Sequence, residues 1–137
     1  MSDHFTLRLP TGTAERLGRR ARAAGAAPRS LAARYVEEGV RHDDHPLVHF
    51  VEGETGRRAA LIGTHVDVWE VIATVRDNDN DVAEAAEYLS VPVGLAEAAV
   101  AYYGEFRAEI DDEIALNELE SERSLAVWKQ GRQALSQ

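Results

Sequence analysis

Cysteine is missing from all 137 residues, which excludes disulfides, thiolate nucleophiles and every zinc pattern that needs sulfur. A chain without disulfides suits a reducing compartment, and a cytoplasmic location is expected. No apolar run approaches the ~18 residues of a bilayer span, and no cationic start leads into an apolar stretch of signal-peptide length, so no membrane partner is expected. A phosphate-cradling glycine loop, a dinucleotide glycine pattern, a nucleophile elbow and a zinc-binding helix pair are all lacking. The carboxylates read as solvated runs rather than isolated groups in apolar settings. The expectation is a non-enzyme with no cofactor and no metal.

Charge is abundant and unevenly placed. The net charge is -9, yet residues 1–46 hold eight arginines against six acids, whereas residues 47–137 hold seven basic residues against eighteen acids. Such asymmetry separates a segment suited to phosphates from one suited to another partner, although a solvated acidic face is the plain account of the acidic half. At 45% hydrophobic residues the chain can form one domain or two small ones.

The opening residues explain the basic half. Phe5, Leu7 and Leu9 alternate with Thr6 and Arg8, the period of a half-buried strand, which Pro10 and Gly12 end. "TAERLGRRARAAG" predicts a helix with Thr13 as N-cap and Gly25 as its stop. A second helix is expected from about Pro28–Ser30 to Gly39, with Leu31, Tyr35, Val36 and Val40 on one face.

Strand, helix, turn and helix over residues 4 to about 42, with "RSLAARYVEEG" opening the second helix, resembles the ribbon-helix-helix family of dimeric repressors. Pro28 departs mildly from that pattern. The resemblance implies a homodimer whose paired strands enter the major groove of operator DNA. It places Thr6 and Arg8, with His4 at the edge, against the bases. It places Arg29 and Ser30 at a phosphate, held by the start of the second helix, with Arg34 one turn further on.

Downstream, "HDDHPLVHF" brings His42, His45 and His49 close in sequence, but Pro46 divides them, and a linker is favoured over a metal site. "DNDND" at 77–81 lacks the glycine and glutamate of a calcium loop, and predicts a turn with Asp81 as a helix N-cap paired with Glu84. "LVHFVEGETGRRAALIGT" predicts a hairpin turning at Glu52–Gly56. Three apolar-periodic helices follow in "VDVWEVIATVRD", "DVAEAAEYLSV" and "GLAEAAVAYYGEFRAEI", the last two spaced like a helix-turn-helix around Pro92. The last of them carries Glu97 and Glu105 and no cation before Arg107, which suits protein contact better than phosphate.

Gly63, Thr64, Val68, Trp69, Tyr88, Leu89, Ala99, Tyr102 and Tyr103 together resemble the motif of a small three-helix domain found in bacterial antitoxins of the VapB-like kind. His65 and Asp67 replace the basic residue and proline usual there. For Trp69, Tyr88, Tyr102 and Tyr103, core packing is favoured over a ligand box. From Asp111 an acidic tail with scattered apolar residues is expected to fold on a partner or to help dimerise the chain. In the antitoxins that this chain resembles, such a segment covers a toxin, often a PIN-like ribonuclease. By that resemblance Leu116, Leu119, Leu125 and Trp128, with the cations Lys129 and Arg132, are the toxin-facing candidates.

The expected architecture is therefore mostly α with short strands. It comprises a dimeric ribbon-helix-helix at 1–46, a hairpin plus three-helix domain with a helix-turn-helix-like pair at 47–110, and a helical tail at 111–137. The expected function is that of a type II antitoxin that binds operator DNA, represses its own operon and neutralises a toxin. A stand-alone dimeric repressor and a scaffold that binds no DNA are the alternatives.

Overall fold

The computed structural model describes residues 3–53 and 56–137. Among them the chain is mostly helical, with six helices and one two-stranded antiparallel hairpin. It divides into two compact units, Met1–Asp44 and His45–Gln137.

The first unit is a pair of helices, α1 (Thr11–Ala24) and α2 (Pro28–Asp44). α1 starts two residues before the expected Thr13 cap. Pro10 stands at its N-cap, no side chain caps it, and the Ala14 N–H donates to the Pro10 carbonyl at 3.0 Å. Gly25 ends it as expected. Its φ of 65° is left-handed, and its N–H and that of Ala26 turn back to the carbonyls of Arg22 and Ala21. α2 takes Pro28 in its first turn, where the missing N–H costs nothing. It continues past the expected end at Gly39, because a glycine inside a helix costs only about 1 kcal/mol. The Glu37–Arg41 ion pair, 2.7 Å, spans that position. The helix stops ahead of Pro46.

Ala21 and Leu31 are the only buried side chains among the described residues of this unit. The strand expected over residues 5–9 is not present in the single chain: Asp3–Pro10 has no regular structure. The unit's other described segments are helices and their connection, so nothing within it offers a ladder.

The second unit holds the core. Strands β1 (Val48–Gly53) and β2 (Gly56–Leu61) pair with Val48 opposite Leu61 and Gly53 opposite Gly56. Within the turn expected at 52–56, Glu54 and Thr55 lie outside the described residues. Ala59 and Ala60 are small enough for the chain at 66–67 to run alongside, so that Ala60 bridges to Asp67 and the Leu61 N–H donates to the Val66 carbonyl.

Four helices follow: α3 (Val68–Asp77), α4 (Val82–Leu89), α5 (Val93–Glu105) and α6 (Arg107–Leu135). α3 buries Val68, Val71, Ile72 and Val75, a stripe at helical spacing. Asp79 and Asn80 are both left-handed in the turn before α4, a conformation their short polar side chains tolerate. Asp81 then caps α4 by accepting the Glu84 N–H at 3.1 Å. α5 contributes Ala96, Ala99 and Tyr102 to the core.

Tyr102, wholly buried, is the hub of this packing. Its ring lies 4.6 Å from that of Phe106 and edge-on to His45 and Phe50, while its hydroxyl donates to Glu109 at 2.8 Å. Trp69 and Tyr103 are partly buried beside the core. Tyr88 departs from the core expectation at 78% exposed, since α4 turns Ala85, Ala86 and Leu89 inward instead. The tail expected to begin at Asp111 is not a separate element. It is the body of α6, whose first turns bury Ile110 and Ile114. The Asp111 carboxylate accepts from Arg76 at 2.7 Å and from Tyr103 at 2.8 Å, which ties α6 to α3 and α5. Those two bonds, Arg76's first, hold its pKa below the usual carboxylate value.

Candidate nucleic-acid and partner surfaces

The first unit presents cations to solvent. Arg16, Arg19, Arg20 and Arg22 are exposed along α1, with Glu15 the one acid on that helix. Arg29 and Ser30 are exposed in the first turn of α2, where helix N–H groups and the dipole favour an anion. Arg34 is less free than its neighbours. It is partly buried, with Nε 3.9 Å from Glu38 and its guanidinium over the Tyr35 ring.

His4, Thr6 and Arg8 lie exposed in the segment before α1, so the single chain does not fix which face they share. Phe5 of that segment is 85% exposed. Tyr35, Val36 and Val40 form an apolar strip on α2 that is also open to solvent.

The second unit contains a site that sequence reasoning missed. A groove of about 1130 Å³ runs between the hairpin and α6, lined by Arg57, Arg58, Asp67, Trp69, Glu113 and Leu116 among others. Asp67 is buried beside this groove. Its carboxylate accepts from Arg58 Nε at 2.6 Å and from Trp69 Nε1 at 3.1 Å. Its backbone N–H donates to Glu70 at 3.1 Å, closing a capping box at the start of α3. Arg57 donates to the Phe50 carbonyl at 3.2 Å and lies 3.6 Å from Glu52.

Glu113 contradicts the expectation that all carboxylates sit in solvated runs. Its Oε2 is buried without a hydrogen-bond partner, and its pKa is pushed up to about 7. Burial is the main cause; Glu109 and Asp67 add to it, and Arg58 opposes them. In the sequence Glu113 is one acid among several. Only the fold, which brings residues 58, 67 and 113 together, separates it from its neighbours.

His45 donates from Nε2 to the Glu105 carboxylate at 3.1 Å and packs on the Tyr102 and Phe106 rings. No group of three His, Cys, Asp or Glu side chains that could hold a metal ion occurs among the described residues.

The six residues expected to face a toxin all lie exposed on α6, where every residue from Ala115 onward is open to solvent. They do not share one face. At 100° per residue, Leu116 and Leu119 lie on one side, and Leu125 and Trp128 on the other. Arg132 stacks over the Trp128 ring at 5.2 Å. No helix of the described residues is long and apolar enough to cross a membrane. No protein family, curated protein or solved structure matches the chain.

Proposed function

We propose that this chain is a DNA-binding antitoxin that acts as a homodimer: its first unit grips operator DNA and represses its own operon, and its acidic second unit neutralises a toxin. The observation that carries the reading is the separation of charge onto two units. Four arginines stand exposed on α1 beside the open first turn of α2, in a chain whose remainder is strongly acidic.

Two features support dimerisation. The first unit buries only Ala21 and Leu31 among its described residues, and the segment carrying Phe5, Leu7 and Leu9 has an unused alternating pattern. Pairing with the same segment of a second chain supplies the missing ladder and covers its apolar side. Thr6 and Arg8, with His4 beside them, then face the bases, while Arg29 and Ser30 hold a phosphate. The toxin meets exposed residues of α6, of which Leu116 and Leu119 lie on one side and Leu125, Trp128, Lys129 and Arg132 on the other, the two cations being suited to an acidic nuclease centre of PIN-like kind.

The test has two arms. In fluorescence anisotropy, the full chain binds the duplex upstream of its own gene more tightly than random duplex. Its affinity falls with salt at a slope near -0.9 per phosphate contacted. Co-expression with the product of the adjacent reading frame restores growth if that product is the toxin. Absence of DNA binding at low salt overturns the repressor half and leaves an interaction scaffold. DNA binding with no toxin to neutralise leaves a stand-alone repressor.

A further inference from the structure

We propose that the projecting part of α6 is a pairing helix, docking antiparallel on the same helix of a second copy of this chain. The proposal does not rest on the toxin reading.

The face of α6 that enters the core does not end where the core ends. Ile114, Ser121, Trp128 and Leu135 recur at steps of seven, with Ile110 and Leu125 beside them on the same side. This seam is continuous with the core-facing stripe but interrupted, since Ser121 stands within it and Asn117, Ser124 and Gly131 fall between the steps. Ile110 and Ile114 spend this seam on their own domain, whereas Leu125, Trp128 and Leu135 leave it open to solvent.

Charge selects the occupant and its direction. Beyond Leu116 the helix carries Glu118, Glu120 and Glu122 and then Arg123, Lys129 and Arg132, with no acid after Glu122 and no cation between Arg107 and Arg123. Two copies side by side in the same direction set acids against acids and cations against cations. Reversed, each acidic half lies along the other's basic half. Exposed pairs contribute little energy individually, but like-charge juxtaposition excludes the wrong orientation. The helix dipoles also favour the antiparallel arrangement. Leu116, Leu119 and Val127 point to the other side of α6, so a different protein can engage the paired helices there. Of the residues given to the toxin above, Leu125, Trp128, Lys129 and Arg132 are assigned here to the second copy.

Because the chain has no cysteine, nitroxide labels can be placed at will. Ala115→Cys and Gln133→Cys sit off the seam, about 27 Å apart along the axis. With antiparallel pairing, a mixture of full-length chains labelled at 115 and at 133 gives a shorter intermolecular distance than either labelled chain with itself. Shorter like-with-like distances overturn the direction, and no intermolecular distance attributable to α6 overturns the pairing.

Charge reversal supplies an independent readout. Full chains carrying Glu118→Lys, Glu120→Lys and Glu122→Lys, or Arg123→Glu, Lys129→Glu and Arg132→Glu, each lose α6 pairing by at least tenfold, and mixing the two restores it. Reversed chains that pair with themselves as well as the natural chain does would refute the charge argument. Pairing of α6 that occurs only when another protein is added assigns the seam to that protein and refutes the proposal.

Discussion

Replacing Glu113 with glutamine tests the groove of the second unit. The carboxyl is half-buried with one oxygen unpartnered, and its pKa rises from 4.5 to about 7 on folding. A raised carboxyl pKa means that the folded state binds the proton more tightly than the unfolded chain does. Ionisation then opposes folding. The penalty is absent below about pH 4.5, grows through the window from 4.5 to 7, and is complete above it. At 1.36 kcal/mol per unit the full shift corresponds to about 3.4 kcal/mol, and solvent screening at a partly exposed site reduces this to roughly 1–2 kcal/mol. Glu113→Gln keeps the shape and removes the charge. In thermal unfolding followed by near-ultraviolet circular dichroism, the variant should melt roughly 5–10 °C above the natural chain at pH 8. It should coincide with the natural chain near pH 4. A gap of equal size at both pH values, or a variant less stable at pH 8, would refute the assignment of the penalty to this carboxylate.

Three further outcomes are expected. Asp67→Asn removes the charge of the buried partner of Arg58 and should destabilise the second unit by about 1–2 kcal/mol in urea denaturation, since Arg58, about a third exposed, loses its counter-ion but can be partly rehydrated; a neutral result would show that the Trp69 bond and the capping box suffice. Arg8→Ala should cost on the order of 1–3 kcal/mol of operator affinity and relax preference at one base pair, and equal losses on operator and random DNA would make Arg8 a phosphate contact. A chain ending at Asn117 should keep the second unit's cooperative unfolding, whereas one ending at Glu109 should lose it. Ile110 and Ile114 are core residues, and removing two buried isoleucines costs several kcal/mol; cooperative unfolding of the shorter chain would refute that role.

Local signals decided what was legible in the sequence. The hairpin, the stop at Gly25, the cap at Asp81 and the stripe of α3 each arise from chemistry within one or two turns of chain, and all are present. The starts and ends that differ are those where a weak signal met a stronger one. Thr13 yielded to a helix already begun at Thr11, and Gly39 to the Glu37–Arg41 pair and the long run to Pro46. Tyr88 shows that an aromatic at helical spacing still points wherever the smaller residues beside it allow. The groove was illegible because Arg58, Asp67 and Glu113 are brought together only by the packing of α6 on the hairpin domain. Residues 4–9 are the reverse case: the alternation is plain, but a ladder needs a second strand, and the described residues of this unit contain none.

The asymmetry of α6 has a thermal consequence. Its first two turns are anchored by Ile110, Ile114 and the Asp111 contacts, while roughly 30 Å of helix beyond them rests on hydrogen bonds within its own backbone. An unanchored helix of that length obeys a helix–coil equilibrium and unwinds gradually on warming, because its fraying ends are not coupled to a core. As an uncovered helix, α6 is therefore expected to show two melting behaviours in one continuous element. Ellipticity should decline gently well below the core transition as the outer turns loosen, and the second copy proposed to lie along those turns would convert the gentle decline into part of the sharp one.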